Sequence, residues 1–157
     1  MAELLEQGEL QRRIRGVLQP AYASRYRTLM KAIHMFLLPL GVKLPQSERD
    51  FVGGYFVWIT LPQPLKASTV TQKARKVENL VVAPGSMFEV PADREGATFP
   101  HDIRLCFSWE DEEKLHEGVE RLGEVIRRLQ ESGDDQTDEH GDGNASKASQ
   151  ALADDEK

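Results

Sequence analysis

In the block Ile103-Arg104-Leu105-Cys106-Phe107-Ser108, one residue type stands apart from its neighbours. Alternate residues of an extended chain point to opposite faces, so Ile103, Leu105 and Phe107 define an apolar face and Arg104 projects from the other. A guanidinium fixed on a strand is a rigid planar fork whose parallel N–H donors match the two oxygens of a carboxylate. The chemistry predicted for Arg104 is therefore capture of a carboxylate. For an arbitrary strand arginine a surface ion pair is the commoner fate, so the case rests on the company it keeps.

Two other blocks supply that company. Gly53-Gly54-Tyr55-Phe56-Val57-Trp58-Ile59-Thr60-Leu61-Pro62 opens with a glycine pair that permits unusual torsions or close approach of another group. Its aromatic and β-branched run, Tyr55 to Leu61, reads as a strand buried on both faces, with Phe56 and Trp58 assigned to packing. Val82-Ala83-Pro84-Gly85-Ser86-Met87-Phe88 ends a second strand, Asn79 to Ala83, in a Pro-Gly turn that delivers Phe88. The loop from Glu89 to Pro100 brackets the same region.

Other chemistries find little support. His34, His101, His116 and His140 lack metal-site spacing, and with one cysteine no metal site is expected. No serine sits in a G-x-S-x-G elbow, and no glycine-rich phosphate loop is present. Cys106, alone in an apolar strand, is expected to be a packed, inert thiol in a reducing compartment.

The elements that would position these residues can be read from periodicity. Residues 3 to 37 carry apolar side chains at helical spacing, and Pro20 should divide or kink that helix near Gly16 to Ala21. Leu38 to Val42 is expected to end it and begin a short strand. Leu65 to Glu78 reads as a helix with Val70, Ala74 and Val77 inward. After Ser108, expected as a helix cap, Leu115, Val119, Leu122, Ile126 and Leu129 recur at steps of four and three, the stripe of a final helix. Strands separated by helices give an α+β fold, a two-layer sandwich whose small antiparallel or mixed sheet has helices packed on one face, preceded by the long Pro-kinked helix.

Charge divides the chain of 157 residues unevenly. Its formal net charge is −6, yet from Glu131 onward nine acidic residues face only two basic ones, which leaves the body near neutrality. That segment has too little apolar surface to offset the entropy of ordering it and reads as a disordered acidic tail. Nucleic-acid binding by the body is not suggested. The acidic start, with Glu3, Glu6 and Glu9, is unlike a leader, and the longest apolar run is too short to span a bilayer. A cytoplasmic protein with no membrane association is the expectation.

In order, spacing and residue type, the three blocks resemble the C-terminal small domain of class I/II, fold type I pyridoxal-phosphate-dependent aminotransferases, the group that includes aromatic and 2-aminoadipate aminotransferases. The resemblance covers roughly residues 8 to 130. It implies a connection between large and small domains at 1–37, the small domain at 38–130 and the tail at 131–157. It implies that Arg104 holds the substrate α-carboxylate, that Gly53, Gly54 and Tyr55 line the side-chain pocket, and that Phe88 stands near its mouth. It also implies the cofactor pyridoxal 5'-phosphate. None of the body lysines stands in the Ser-x-x-Lys context of the family's Schiff-base lysine, so no catalytic or cofactor-binding residue is expected here. Amino-acid or 2-oxo-acid substrate would bind only with a large domain present. The alternative is a noncatalytic α+β interaction module, with a protein partner or a second copy covering the surface a large domain would occupy.

Overall fold

In a computed structural model the described residues are 8–45, 54–90 and 96–133. Residues 1–7, with the start of the expected first helix, the segment 46–53 with Gly53, residues 91–95 of the Glu89–Pro100 loop and the tail from residue 134 lie outside them, while Glu131 and Ser132, expected to start that tail, belong to the last helix.

Residues 9–37 form one continuous right-handed helix, α1, built of α-helical Glu9–Arg13 and Gln19–Ala32 with π turns at Ile14–Leu18 and Ile33–Leu37. Pro20 does not divide it. The carbonyl its ring would strike in an ordinary turn is that of Gly16, which lies inside the widened π segment. Where a short strand was expected after Leu38, the chain makes a 3-10 turn, Leu38–Leu40, and touches the sheet through a lone bridge between Lys43 and Thr60.

The sheet has three strands in the order β1-β3-β2, all antiparallel: β1 Phe56–Thr60, β2 Ala83–Pro84 and β3 Asp102–Cys106. Helix α2, Ala67–Glu78, connects β1 to β2, and α3, Glu112–Ser132, follows β3. The expected second strand, Asn79 to Ala83, is reduced to two residues displaced toward Pro84. Short edge strands of this kind offer little template for unwanted pairing.

The core lies between one face of the sheet and the helices. Val57, Ile59, Ile103 and Leu105 meet Leu29, Ile33 and Leu37 of α1, Val70 and Ala74 of α2, and the whole predicted stripe of α3, all buried. No charged or polar side chain is buried with them among the described residues. Val77, expected inward, is 54% exposed. Asp111 rather than Ser108 precedes α3, while Glu112 and Glu113 occupy its first turn, where the helix dipole favours acids. Glu112 also ties α3 to α1, since Thr28 donates to its carboxylate at 2.9 Å. Hydrogen bonds from Ser24 first, and from Thr28, hold that carboxyl below the ordinary glutamate range.

Candidate functional site

The expectation that β1 is buried on both faces is corrected by its burial, which alternates along the strand. Val57 and Ile59 enter the core, whereas Phe56, Trp58 and Thr60 share the other face with Asp102, Arg104 and Cys106 of β3. Register fixes the neighbours: Trp58 lies opposite Arg104, Phe56 opposite Cys106 and Thr60 opposite Asp102. Thr60 donates to the Asp102 carboxylate at 2.6 Å, which occupies that acid at the far end of the strand.

Arg104 is half-buried in the middle of this face. The carbon at the centre of its guanidinium stands 4.0 Å from the centroid of the Phe56 ring and 3.8 Å from that of Phe88. These are stacking distances, at which a ring's negative face attracts a cation. Among the described residues no carboxylate lies in ion-pair contact with Arg104. Phe88 is held in turn by Trp58, with centroids 5.5 Å apart, and Trp58 meets Phe99 at 5.4 Å. The turn that presents Phe88, the 3-10 segment Gly85–Phe88, passes so close to the chain before β3 that a Cβ on Gly85 would lie 2.5 Å from Phe99 Cβ and 2.7 Å from its carbonyl oxygen. A glycine is required there.

The structure therefore brings Arg104 and Phe88 together and adds Phe56, which the sequence reading had assigned to packing. Tyr55, just before β1, makes contacts of its own. Its carbonyl accepts from Phe107 N–H at 3.1 Å, and its ring meets Tyr22 of α1 edge to face at 5.0 Å. Gly54 precedes it with φ of +88°, a torsion that glycine adopts readily and other residues do not. Gly53 lies outside the described residues. Cys106 is exposed rather than packed, because β3 places it on the open face, and its Sγ stands 3.3 Å from Ser108 Oγ. Beside Arg104 a cavity of about 410 Å³ opens between the end of β3, the segment 80–83 and α3, with Phe56, Met87, Cys106, Trp109 and Lys114 on its walls.

Cofactor chemistry makes different demands. A Schiff-base lysine must be sheltered, yet Lys114, on the cavity wall, is 67% exposed and paired with Glu110 at 3.7 Å. One arginine and a set of rings likewise form no phosphate cup. The described residues do not by themselves fit pyridoxal phosphate. Nor do they gather three histidine, cysteine or acidic side chains into a metal cluster, and none of their helices is long and apolar enough to cross a membrane.

The class defined by this architecture is an α+β two-layer sandwich with helices on one face of a small sheet and, among the described strand residues, Arg104 on the other. No family model matches the chain. Aromatic-amino-acid aminotransferase 1 of Thermococcus litoralis is 32% identical over 123 residues, covering 78% of this chain and 27% of that protein. The 2-aminoadipate transaminase of Thermus thermophilus is 30% identical over 129 residues, or 81% of this chain and 29% of its own. The crystal structure of a multiple substrate aminotransferase from Thermococcus profundus matches with a TM-score of 0.68 and 28% identity, covering 83% of this chain and 29% of that one. The chain thus resembles, in sequence and in fold, the C-terminal small domain of fold type I pyridoxal-phosphate-dependent aminotransferases, and it spans just over a quarter of the length of these relatives.

Proposed function

We propose that this chain supplies the carboxylate-gripping wall of an aminotransferase active site, serving transamination between an amino acid and a 2-oxo acid in the cytosol. Arg104 would take the α-carboxylate, Phe88 would border the mouth of the site, and Gly53, Gly54 and Tyr55 would line the side-chain pocket. Pyridoxal phosphate and the lysine that carries it would come from a large domain, joined through residues 1–37 to the small domain at 38–130. The 157 residues alone are expected to give no turnover.

The observation that carries this reading is Arg104 itself, half-buried, held between aromatic rings and without an ion-pair partner among the described residues. A structural arginine at this depth ordinarily has an acid beside it. With a lysine-bearing large domain supplied in trans, Arg104→Ala should raise the apparent KM for the amino acid by tenfold or more, on the order expected for a charged hydrogen bond. An unchanged KM would remove the assignment.

A second reading, a noncatalytic interaction module that binds a protein partner or a second copy, is favoured by one feature. Leu10, Ile14, Val17 and Leu18 form an exposed apolar stripe on the first turns of α1. Such stripes commonly mark an interface. Sedimentation velocity separates the cases, because a monodisperse monomer that binds no hydrophobic dye counts against the module.

A further inference from the structure

We propose that Phe56 and Phe88 are positioning residues that fix Arg104 as an edge-on fork for a monocarboxylate. This rests on the carboxylate reading above and adds to it a means of holding the receptor ready. All five N–H donors of a guanidinium lie in its plane, and its two faces carry no hydrogen-bonding group. The central carbon stands over the two rings at 4.0 and 3.8 Å, stacking distances at which rings take up the faces and leave the edge donors for a ligand. An acidic neighbour would have the opposite effect, since it would occupy the donors and repel the anion that is to replace it. Aromatic contact attracts the cation without competing.

The assembly draws on three separate segments. Phe56 begins β1, Arg104 is the middle of β3, and Phe88 closes the turn after β2, so the fork is set by tertiary structure and not by local chain preference. Trp58, across the β1–β3 ladder from Arg104, backs the Phe88 ring and is itself backed by Phe99. A long side chain arrested before the ligand arrives loses less freedom on binding, which is the general gain from preorganisation. Asp102 shares this face two residues along, but its carboxylate is held by Thr60 and makes no ion pair with Arg104, so among the described residues the fork offers one positive charge for a ligand to match. Planar carboxylates also meet the fork in its own plane.

The test uses the folded 157-residue chain with arginine side chains labelled for magnetic resonance. The Arg104 Nε–Hε signal, identified by its loss in Arg104→Gln, should lie away from the ordinary arginine position because of the adjacent rings, and should move saturably on addition of acetate. Phe56→Leu and Phe88→Leu should each diminish that displacement and weaken acetate binding about two- to fivefold, the size expected of one cation–π contact. Phe88→Tyr should restore both. Inorganic phosphate at matched ionic strength should bind more weakly than acetate, and tighter phosphate binding would overturn the monocarboxylate preference. Unchanged acetate binding in the folded leucine variants overturns the positioning role alone. Acetate shifts that persist in Arg104→Gln, or that are absent from the unsubstituted chain, overturn the carboxylate reading instead. Should the leucine variants not fold, an Arg104 signal at the ordinary position in the unsubstituted chain still overturns the stack.

Discussion

The two faces of the β1–β3 ladder are made from alternate residues of the same ten positions, yet they follow different rules. On the helix side Val57, Ile59, Ile103 and Leu105 are buried in one apolar cluster with residues of α1, α2 and α3. On the other side Phe56 and Trp58 are just as apolar, but Phe56 lies against the Arg104 cation while Trp58 backs Phe88, and Phe56 remains 40% exposed. The helix side is covered by its own chain. On the open side, among the described residues, no helix covers the sheet; Trp58, Phe88 and Phe99 pack on one another there, and Phe56 and Phe88 meet Arg104. Burial on one face secures the fold, and that leaves the other free to carry a group whose desolvation would be costly in a core.

The sharpest break of this contrast is a cavity on the helix side. Ile103→Ala removes a side chain with 0% exposure and should cost about 2–5 kcal/mol in urea unfolding. If acetate binding persists wherever that variant stays folded, the two faces are separable as described. Gly85→Ala comes next. Its new methyl would sit against the Phe99 backbone and the Asp102 carbonyl oxygen, at 2.7 and 2.9 Å, so the turn must shift at about 1–3 kcal/mol and carry Phe88 off the guanidinium. Here stability and the Arg104 signal should change together.

Much of the helix side was legible in the residues. The stripe Leu115, Val119, Leu122, Ile126 and Leu129 has a period that only a helix satisfies, and all five are buried. Alternation around Arg104 likewise placed Ile103 and Leu105 inward. The open side was harder for a physical reason: β1 carries large apolar residues on both faces, so its pattern is that of a doubly buried strand even though, among the described residues, no helix covers one of them. The contact of Phe56 with Arg104 depends on a register between strands some fifty residues apart, which no local spacing encodes. Cys106 is a different case: its apolar neighbours suggested burial, yet the strand alternation that set Arg104 outward also puts Cys106 outside. Val81 and Val82 favour a strand by type, but pairing with β3 begins only at Ala83.

A smaller effect sharpens the comparison from the open side. Arg104→Gln gives up two ring contacts and no ion pair to a described residue, so its cost to folding should be about 0.5–2 kcal/mol. Its cost to acetate binding should be complete. That ratio is the reverse of the one expected for Ile103→Ala, and a large loss of stability with retained binding would make Arg104 a structural residue.

The smallest effect concerns the seam that joins α1 to α3 at the edge of the helix side. Glu112 has its folded-state pKa lowered chiefly by hydrogen bonds from Ser24 and Thr28. A depressed carboxyl pKa means that the unfolded chain binds the proton more readily, so the contribution is fully present above the ordinary glutamate pKa and is lost as pH falls through the lowered folded value. Glu112→Gln should therefore narrow the gap in melting temperature between neutral and acidic solution, with little change at the acidic end. The group is solvent-exposed, so the gap should narrow only slightly. Equal melting curves for the two proteins throughout that range would mean that the Thr28–Glu112 bond contributes nothing, leaving apolar contacts such as Leu29 and Ile33 against α3 to hold the seam.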